Sequence, residues 1–398
     1  MKKLTFWFVS SAAALTLAFT GAGRPATASP GDALLAAGDF AAADRAYDAA
    51  VKAWPSDISA EVGLARVRLY ENRNDEAIAL ARKALAAQPD NALAKQILGS
   101  AQQRQSDFAA DRYRSSGAPP ETSIPFVVTD PLPVVQVTVA GQHANFLIDT
   151  GGPDIVVSAG LARALGLQVQ SGGEGVFAGG LRAQVQRTIV PELEIGQVKI
   201  ANVPAGVMPQ MLPIPGAKVD GVIGTGLLMH FLPTLDYCQG RLVLRPRTAS
   251  AEFQRTVAAE GANSAPMWLV GDHFLFARAH LQHGSEGLFA IDTGLAGAGL
   301  AATKPALDEA GVAIDPNAAK AGMGGGGAVS FIPFQADATL GSLTVQNVPG
   351  SYSPGGDPFG MFPFKVSGAL SHMFFRKTRL SLDFDAMRLV TESCAAKS

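Results

Sequence analysis

Charged side chains are scarce in this sequence: they make up 17% of its 398 residues, and the formal net charge is −2. A surface that binds nucleic acid needs clustered Lys and Arg, so this balance argues against nucleic acid as a partner. Disordered chains combine low hydrophobicity with high charge, whereas 47% of these residues are hydrophobic. The composition therefore indicates a folded protein, long enough for two or three domains.

Patterns that bind metals, phosphates or dinucleotides are also missing or weak. The six His residues are scattered, no His-Glu-x-x-His occurs, and no Gly-Lys-Ser/Thr follows the glycine run around Gly325 and Gly326. Residues 297–302 formally match a dinucleotide fingerprint, but such a match alone is poor evidence. It directly follows the second Asp-Thr-Gly triplet, and the segment after the first triplet lacks it. We therefore expect no cofactor and no metal.

Cysteine is nearly absent, with only Cys238 and Cys394 present. Neither lies near a His in a nucleophile pattern, which argues against a catalytic cysteine. Both follow similar Leu-Asp-aromatic segments in the two halves of the chain, so a disulfide between the halves is one possibility. Two free thiols are the other, because the sequence does not supply the distance between the two Cα atoms.

Long apolar runs are confined to the N-terminus. Lys2 and Lys3 precede an apolar stretch from Leu4 to about Thr20, and Ala26-Thr27-Ala28 has the small residues that a signal peptidase requires. The pattern predicts a secretory signal peptide over residues 1–28 and a periplasmic or secreted bacterial protein, with an uncleaved anchor helix as the alternative. No later segment is long and apolar enough to span a membrane, so we expect none after signal cleavage.

Residues 29–116 have apolar residues at helical spacing and a period of 34 residues. Gly38-Asp39-Phe40 and Pro55 correspond to Asn72-Arg73-Asn74 and Pro89, and Ser106-Asp107-Phe108 begins a third unit. This pattern resembles the tetratricopeptide repeat (TPR), in which helix pairs stack on their neighbours. The resemblance implies either a surface that recruits a protein partner or a stabilising spacer. Residues 117–124 form a linker by composition.

The pattern changes to short alternating runs bounded by Gly, Pro and Asn from Ile124 onward, which is typical of an all-β fold. The triplet Asp-Thr-Gly occurs there twice, as Asp149-Thr150-Gly151 and Asp292-Thr293-Gly294, each after an apolar run. Other segments recur at nearly the same spacing: Asn-Val-Pro begins at Asn202 and Asn347, and Leu-Asp-aromatic is centred on Asp236 and Asp383. A duplication is therefore predicted, with lobe one at 125–247, a connection at 248–265 and lobe two at 266–398.

Two aspartates brought together across a pseudo-two-fold axis have a specific chemistry. Like charges about 3 Å apart cannot both ionise, so such a pair shares a proton and serves as acid and base together. We expect Asp149 and Asp292 to activate one water between them for attack on a carbonyl carbon. Because the two groups titrate as a pair, neither aspartate is given a fixed role.

The chain from about residue 125 onward resembles the pepsin/retropepsin superfamily of aspartic peptidases. The resemblance implies that each lobe supplies one Asp-Thr-Gly loop, that Thr150 and Thr293 brace the loops, and that Gly151 and Gly294 give backbone room. An apolar pair followed by Gly supports each loop: Ile223 and Gly224 fit this pattern in lobe one, whereas lobe two has Ser371 in place of the glycine. It further implies a monomeric endopeptidase that cleaves peptide or protein substrates, and the predicted signal peptide implies that this enzyme is exported.

Glycine-rich segments at 172–180 and 322–327 correspond in position to the flap hairpins of this family, with Phe177, Gly179, Gly180, Gly325 and Gly326 as flap candidates. Two flexible surface turns are the alternative. The family's flap tyrosine is absent. Exposed Met and Phe in the later loops at 208–213 and 352–362 either line an apolar cleft or fill core.

Pepsin-like enzymes place Ser or Thr after the triplet, whereas this chain has Gly152 and Leu295. Loss of a donor to the charged carboxylate predicts a pair that titrates higher than in pepsin, with activity at weakly acidic pH. The departures at Leu295 and Ser371 and the missing flap tyrosine favour an alternative: a non-catalytic peptide-binding or scaffold protein that keeps the peptidase fold.

Overall fold

The computed structural model describes residues 29–109, 119–177, 181–324 and 327–394. The segment assigned to a signal peptide, 1–28, lies outside the described residues. The first part is helical, as the 34-residue period predicts. Its helices are α1 (Pro30–Ala36), α2 (Phe40–Ala53), α3 (Ile58–Tyr70), α4 (Asn74–Ala87) and α5 (Ala92–Ala109).

The boundaries of these helices follow from caps and turns that repeat with the period. The side chains of Asp57 and Asn91, 34 residues apart, each accept a hydrogen bond of 3.0 Å from the backbone amide three residues later. Gly38 and Asn72, also 34 apart, adopt the positive φ that ends one helix before the next begins. The third unit differs, because α5 continues through Ser106, where neither Gly nor Asn favours that turn.

The remainder is rich in β-strands and begins with lobe one. Its first strand starts at Thr122, inside the segment that composition assigned to a linker. Helix α6 (Ala159–Ala164) follows the fourth strand, and α7 (Thr225–Leu228) follows the eighth. The strands are β1 (Thr122–Val128), β2 (Val134–Val139), β3 (Gln142–Asp149), β4 (Ile155–Ser158), β5 (Gln170–Phe177), β6 (Leu181–Ile195), β7 (Val198–Met208), β8 (Gly221–Gly224), β9 (Phe231–Asp236) and β10 (Arg241–Pro246).

A short 3₁₀ turn and helix α8 (Ser250–Ala259) connect the lobes, and lobe two then begins at Asn263, three residues earlier than expected. Helix α9 (Lys304–Glu309) follows its fourth strand, and α10 (His372–Phe375) follows its eighth. The strands are β11 (Asn263–Val270), β12 (Phe274–Leu281), β13 (Gly287–Ile291), β14 (Leu300–Ala302), β15 (Lys320–Gly324), β16 (Gly327–Leu340), β17 (Leu343–Tyr352), β18 (Gly368–Leu370), β19 (Thr378–Asp383) and β20 (Arg388–Ser393).

The two lobes have the same strand pairing, which confirms the fold class predicted from the duplication. In each lobe the strand that ends in the Asp-Thr-Gly triplet runs parallel to the eighth strand, as β3 does to β8 and β13 to β18. The fourth strand pairs with both the seventh and the eighth, as β4 does with β7 and β8 and β14 with β17 and β18.

One antiparallel sheet joins the lobes, in the order β1-β10-β9-β19-β20-β11. At its centre the hydroxyl oxygens of Thr234 and Ser381, which are buried and 147 residues apart, lie 2.6 Å from each other. These two residues are equivalent in the duplication, so the pseudo-two-fold axis passes between them.

The recurring segments mark the turns and bends of each lobe. Gly196 and Gly341 adopt positive φ in the tight turns before β7 and β17, and Asn202 and Asn347 adopt positive φ within those strands. Both residue types tolerate this backbone conformation better than others do. The short motifs therefore recur because the backbone geometry recurs.

Cys238 and Cys394 form a disulfide, with their Cα atoms 5.3 Å apart. Cys238 lies in the turn between β9 and β10 of lobe one, and Cys394 follows β20 of lobe two. The bond therefore ties the two lobes together beside the shared sheet.

The helical module packs on the outer face of lobe two. Phe40 lies at the centre of the contact, with ring centroids 5.6 Å from Trp268 and 4.9 Å from Phe364, and Tyr70 packs on the same Phe364 ring at 6.2 Å. These side chains belong to one buried cluster shared by the module and the lobe. The module is therefore part of the folded body, and recruitment of another protein by its repeats stays a prediction.

The helical module packs on lobe two rather than lobe one, and a residue of β13 explains why. Leu288 of β13 is buried against the module, whereas its lobe-one equivalent in β3 is Asn145, whose amide donates to the Lys218 carbonyl oxygen at 3.1 Å. A polar side chain that bonds to its own lobe cannot replace the buried leucine without loss of apolar contact. The same face of lobe one is closed instead by its own small cluster, which includes Ile214 and Val219.

Among the described residues, no helix has the length and apolar character needed to cross a membrane.

Candidate active site

The two predicted catalytic aspartates meet between the lobes. Asp149 ends β3, and Asp292 follows β13 directly. Their carboxyl groups are hydrogen-bonded to each other, although the residues are far apart in the sequence. The structure thus places the pair as the duplication predicts.

The two threonines of the triplets lock the loops together across the axis. The Thr150 hydroxyl donates to the Ile291 carbonyl oxygen at 2.7 Å and accepts from the Thr293 amide at 3.0 Å. The Thr293 hydroxyl does the same in reverse, donating to the Ile148 carbonyl oxygen at 3.1 Å and accepting from the Thr150 amide at 3.1 Å. Both threonines are fully buried, so this four-bond network fixes the relative position of the two aspartates.

The triplet glycines are required by the closeness of the opposite aspartate. A methyl group on Gly294 would lie 2.3 Å from the Asp149 carboxyl carbon, and one on Gly151 would lie 2.6 Å from that of Asp292. Each glycine amide also donates to the aspartate of its own triplet, at 2.9 Å for Gly151 and 2.8 Å for Gly294. The glycines therefore leave room for the pair and stabilise its charged form.

The strands that support the loops differ in one residue between the lobes. Gly224, next to Ile223 in β8, lies so close to the first loop that a Cβ would be 2.5 Å from the Gly152 carbonyl oxygen. Ser371 occupies the equivalent place in lobe two, where its hydroxyl accepts from the Leu295 amide at 3.2 Å. The Ser371 amide donates to the Gly299 carbonyl oxygen at 2.8 Å, and the Gly224 amide likewise donates to the Asp154 carbonyl oxygen at 2.8 Å. The serine is therefore accommodated and joins the second loop to its support.

Burial raises the pKa values of both aspartates of the pair. Burial is the main cause for Asp149, whose pKa lies well above its usual value, and the charge of Asp292 raises it further. Burial also raises the pKa of Asp292, against the lowering effects of the Gly294 amide, the Asp149 hydrogen bond and the charge of His273. Such a pair holds one proton over a range of pH in which isolated aspartates would be fully ionised.

Both predicted flap segments form antiparallel hairpins. Phe177 ends β5 and pairs with Leu181 of β6, and Gly324 of β15 pairs with Gly327 of β16. The candidates Gly179, Gly180, Gly325 and Gly326 lie outside the described residues, so their role in a flap stays a prediction.

The two later loops differ between the lobes. In lobe two, Phe362 packs on Phe274 and Phe276 with ring centroids 5.0 and 5.1 Å apart, so this loop fills core beside the helical module. In lobe one, Met211 and Leu212 border an open cavity of about 990 Å³ between the loop and α6, and neither aspartate lines it. The expectation of an apolar cleft thus fails for Phe362 and stays a prediction for the lobe-one loop.

No cluster of three or more His, Cys, Asp or Glu able to hold a metal ion occurs within the described parts of the chain.

Some residues that hold the loops and turns of the two lobes were not found from the sequence. The hydroxyl of Thr225, directly after Gly224, donates to the Thr150 carbonyl oxygen at 2.8 Å and supports the first loop. Asp130 and Asp272 each lie in the turn between the first two strands of their lobe. Their spacing of 142 residues, close to that of the triplets (149 to 292), is a signal that could have found them.

Comparisons with known proteins agree with this geometry. Residues 135–227 match the family model described as aspartyl protease, and residues 31–92 and 62–116 match that of the tetratricopeptide repeat. The chain therefore combines a helical TPR region with a β-rich domain of aspartic protease-like fold. The aspartyl protease match lies within lobe one. Lobe two is related to lobe one by its identical strand pairing.

Solved structures of aspartic proteases are also similar to the chain. A retropepsin-like aspartic protease from Rickettsia conorii is 19% identical, with 32% of this chain and 89% of that chain covered and a TM-score of 0.24. An aspartic proteinase from Irpex lacteus is 12% identical, with 69% of this chain and 98% of that chain covered and a TM-score of 0.42. A search of curated protein sequences found no relative.

Proposed function

We propose that this protein is an aspartic endopeptidase in which Asp149 and Asp292 together hydrolyse peptide bonds. The observation that carries the proposal is the pair itself: two hydrogen-bonded carboxyls fixed by the reciprocal bonds of Thr150 and Thr293. A fixed pair that shares one proton is the arrangement that acid–base hydrolysis requires.

The reaction begins with a water molecule held between the two carboxyls. The ionised carboxylate takes a proton from this water as its oxygen attacks the scissile carbonyl carbon, and the protonated carboxyl gives its proton to the carbonyl oxygen. In the second step the ionised carboxylate takes a proton from one hydroxyl of the tetrahedral intermediate, the protonated carboxyl gives its proton to the leaving amine, and the C–N bond breaks. The pair then again holds one proton.

The same residues argue against a non-catalytic scaffold. One of the departures that favour that alternative, Ser371, bonds to the second loop and leaves the Thr150–Thr293 network complete. The proposal is tested by incubating the full-length chain with casein and a peptide library, with and without the aspartic-peptidase inhibitor pepstatin. Absence of cleavage at every pH from about 3 to 7 would exclude an endopeptidase with a pair of this kind.

The pH dependence of cleavage follows from the raised pKa values. Activity requires one ionised and one protonated carboxyl, so it falls below the lower pKa of the pair and above the higher one. Burial raises both limits, and we expect kcat/KM to peak at weakly acidic pH. Initial rates over a series of buffers at constant ionic strength measure this profile, and an optimum below about pH 3 would contradict it.

We also propose that the protein is exported, as the apolar N-terminal segment predicts. The disulfide between Cys238 and Cys394 supports this location, because such bonds persist in oxidising compartments and are rare in the cytosol. Fractionation of bacterial cells that express the full sequence should yield the oxidised chain, starting near Ser29, outside the cytoplasm. Recovery of an unprocessed, reduced chain from the cytoplasm would overturn the proposal.

A further inference from the structure

An aspartate lies in the turn between the first two strands of each lobe. The turn of lobe one is contacted by lobe two, whereas the turn of lobe two is contacted by the helical module. Asp130 of lobe one is contacted by two basic side chains from lobe two, His372 and Arg376. His372 Nε2 lies 3.0 Å from Asp130 Oδ1, and Arg376 donates to Asp130 Oδ2 at 3.3 Å. The lobe-one turn is therefore fixed by α10 and the residue that follows it.

Pseudo-symmetry would assign the corresponding role for Asp272 to Thr225 and Met229, the lobe-one equivalents of His372 and Arg376. Neither is a cation, so lobe one cannot hold the lobe-two turn in this way. Asp272 instead lies 2.5 Å from the Nδ1 atom of its neighbour His273, and the positive charge of Arg104 in helix α5 helps to lower the pKa of Asp272. The helical module thus supplies the charge that the peptidase lobes lack at this position.

Arg104 is held in the gap between the module and the turn. Its side chain is buried, with 5% of its surface exposed, and it donates to the carbonyl oxygens of Leu69 and Gly271 at 2.6 Å each. Burial lowers its pKa to about 10, against the charge of Asp272, so Arg104 stays charged at any pH at which the pair would work. A buried cation that spans two parts of the chain fixes their relative position.

The turn that Arg104 holds reaches the candidate active site. His273 is buried next to Asp272, with its ring 3.9 Å from that of Phe274 between centroids. The turn leads directly into β12, whose pairing with β13 extends to two residues before Asp292. The charge of His273 lowers the pKa of Asp292 and so favours its ionised form. A shift of this turn would therefore change the electrostatic environment of one aspartate of the pair.

Helix α5 also contacts the other lobe. The ring of Phe108 packs against that of His230, which follows α7 of lobe one, at 5.6 Å between centroids. The Arg247 guanidinium, at the start of the inter-lobe connection, lies over the same ring at 3.9 Å. The last turns of α5 thus touch both lobes, four residues apart at Arg104 and Phe108.

We propose that Arg104 is a positioning residue of the peptidase, through which the helical module fixes the Gly271–His273 turn against Asp292. This inference rests on the proposed function and assigns the module a part in the active site. The module and the peptidase lobes then work only as one unit.

The test compares three variants of the full-length chain. Arg104→Met removes the charge and its donors but keeps much of the apolar stem, and Arg104→Lys restores the charge. Arg388→Met is the matched control, because Arg388 also donates to a main-chain carbonyl oxygen of lobe two at 2.6 Å, that of Ser264 at the opposite end of β11. The measurements are kcat/KM as a function of pH and hydrogen exchange of peptides that cover residues 271–273 and 292–295.

For Arg104→Met we expect kcat/KM to fall by roughly tenfold to a hundredfold, the effect of misplacing a catalytic group by about 1 Å. We also expect the acidic limb of the pH profile to move to higher pH, because His273 then stabilises ionised Asp292 less. Exchange should rise at both peptides, and Arg104→Lys should recover part of each effect. Arg388→Met should leave the acidic limb and the 292–295 peptide unchanged.

An unchanged acidic limb and unchanged exchange at 292–295 in folded Arg104→Met would overturn the proposal, as would equal changes in the control. If the wild type cleaves nothing, the proposed function fails, and exchange alone decides whether Arg104 positions the Asp292 loop. Should Arg104→Met not fold, the same comparison is made between Arg104→Lys and the wild type.

Discussion

Replacing Asp292 with Asn lowers kcat/KM for peptide cleavage by about 10²- to 10⁴-fold, the contribution typical of a positioned acid or base. Asn has nearly the volume of Asp but cannot exchange a proton with the attacking water, so the pair no longer supplies both an acid and a base. The same loss is expected for Asp149→Asn, because the two groups act as one unit and their effects do not add. Cleavage of a fluorogenic peptide selected from the library measures both.

The fold should survive these substitutions, which separates lost chemistry from lost structure. Burial raises both pKa values, so ionisation of the pair at neutral pH costs the folded state free energy that a neutral amide does not. The midpoint of thermal unfolding at pH 7 should therefore equal or exceed that of the wild type. Asp308→Asn is the control, because Asp308 is exposed on α9 and forms a surface ion pair with Lys304, so its cleavage rate should not change. Undiminished cleavage by either Asp149→Asn or Asp292→Asn would contradict a mechanism that uses both aspartates.

The site could be predicted from the sequence largely because its geometry recurs in the chain. Two triplets, each after an apolar run, are enough to predict Asp149 and Asp292 and their bracing threonines. Strand pairing in a duplicated lobe depends on local turns, and residues such as Gly196 and Gly341 mark those turns directly. The two lobes could therefore be predicted from short motifs, because each motif is required by a local backbone conformation.

The contacts between the helical module and lobe two could not be predicted in the same way. The buried Leu288 and the polar Asn145 occupy equivalent strands, and only the folded structure shows that this difference decides which lobe is covered. Arg104 carries no motif at all, because its partners are main-chain carbonyl oxygens that any sequence supplies. Long-range contacts of this kind depend on the shapes of the packed surfaces and on burial, so the spacing of motifs along the sequence does not predict them.

Ser371 shows how a departure from a family pattern can mislead when it is judged by residue type alone. Gly224 is required in lobe one because carbonyl oxygens of the first loop lie within 2.6 Å of any added Cβ. The second loop leaves room for a side chain, and the hydroxyl takes up the Leu295 amide. The cost of replacing a glycine depends on its surroundings, which the sequence does not give.

Replacing Phe40 with Ala destabilises the whole protein by about 3–5 kcal/mol, the usual loss for a fully buried phenylalanine. Phe40 has 0% of its surface exposed and packs against Tyr70 of its own module and against Trp268 and Phe364 of lobe two. Because the cavity would open in a cluster that belongs to both parts, helical and β-sheet signals should shift together. Urea unfolding followed by far-ultraviolet circular dichroism, in which helices dominate, and by hydrogen exchange of the lobe-two strands measures the two signals.

Trp54→Ala is the matched control, since Trp54 is an aromatic residue at the end of the same helix but has 66% of its surface exposed. Its loss should change the free energy of unfolding by no more than about 0.5 kcal/mol. If Phe40→Ala unfolds the helices at low urea while lobe two keeps the wild-type midpoint, the module is an independent unit and the shared core is not a cooperative one. A common shift of both midpoints instead means that the peptidase lobes depend on the helices for their stability, which is the condition under which a helical residue such as Arg104 can position Asp292.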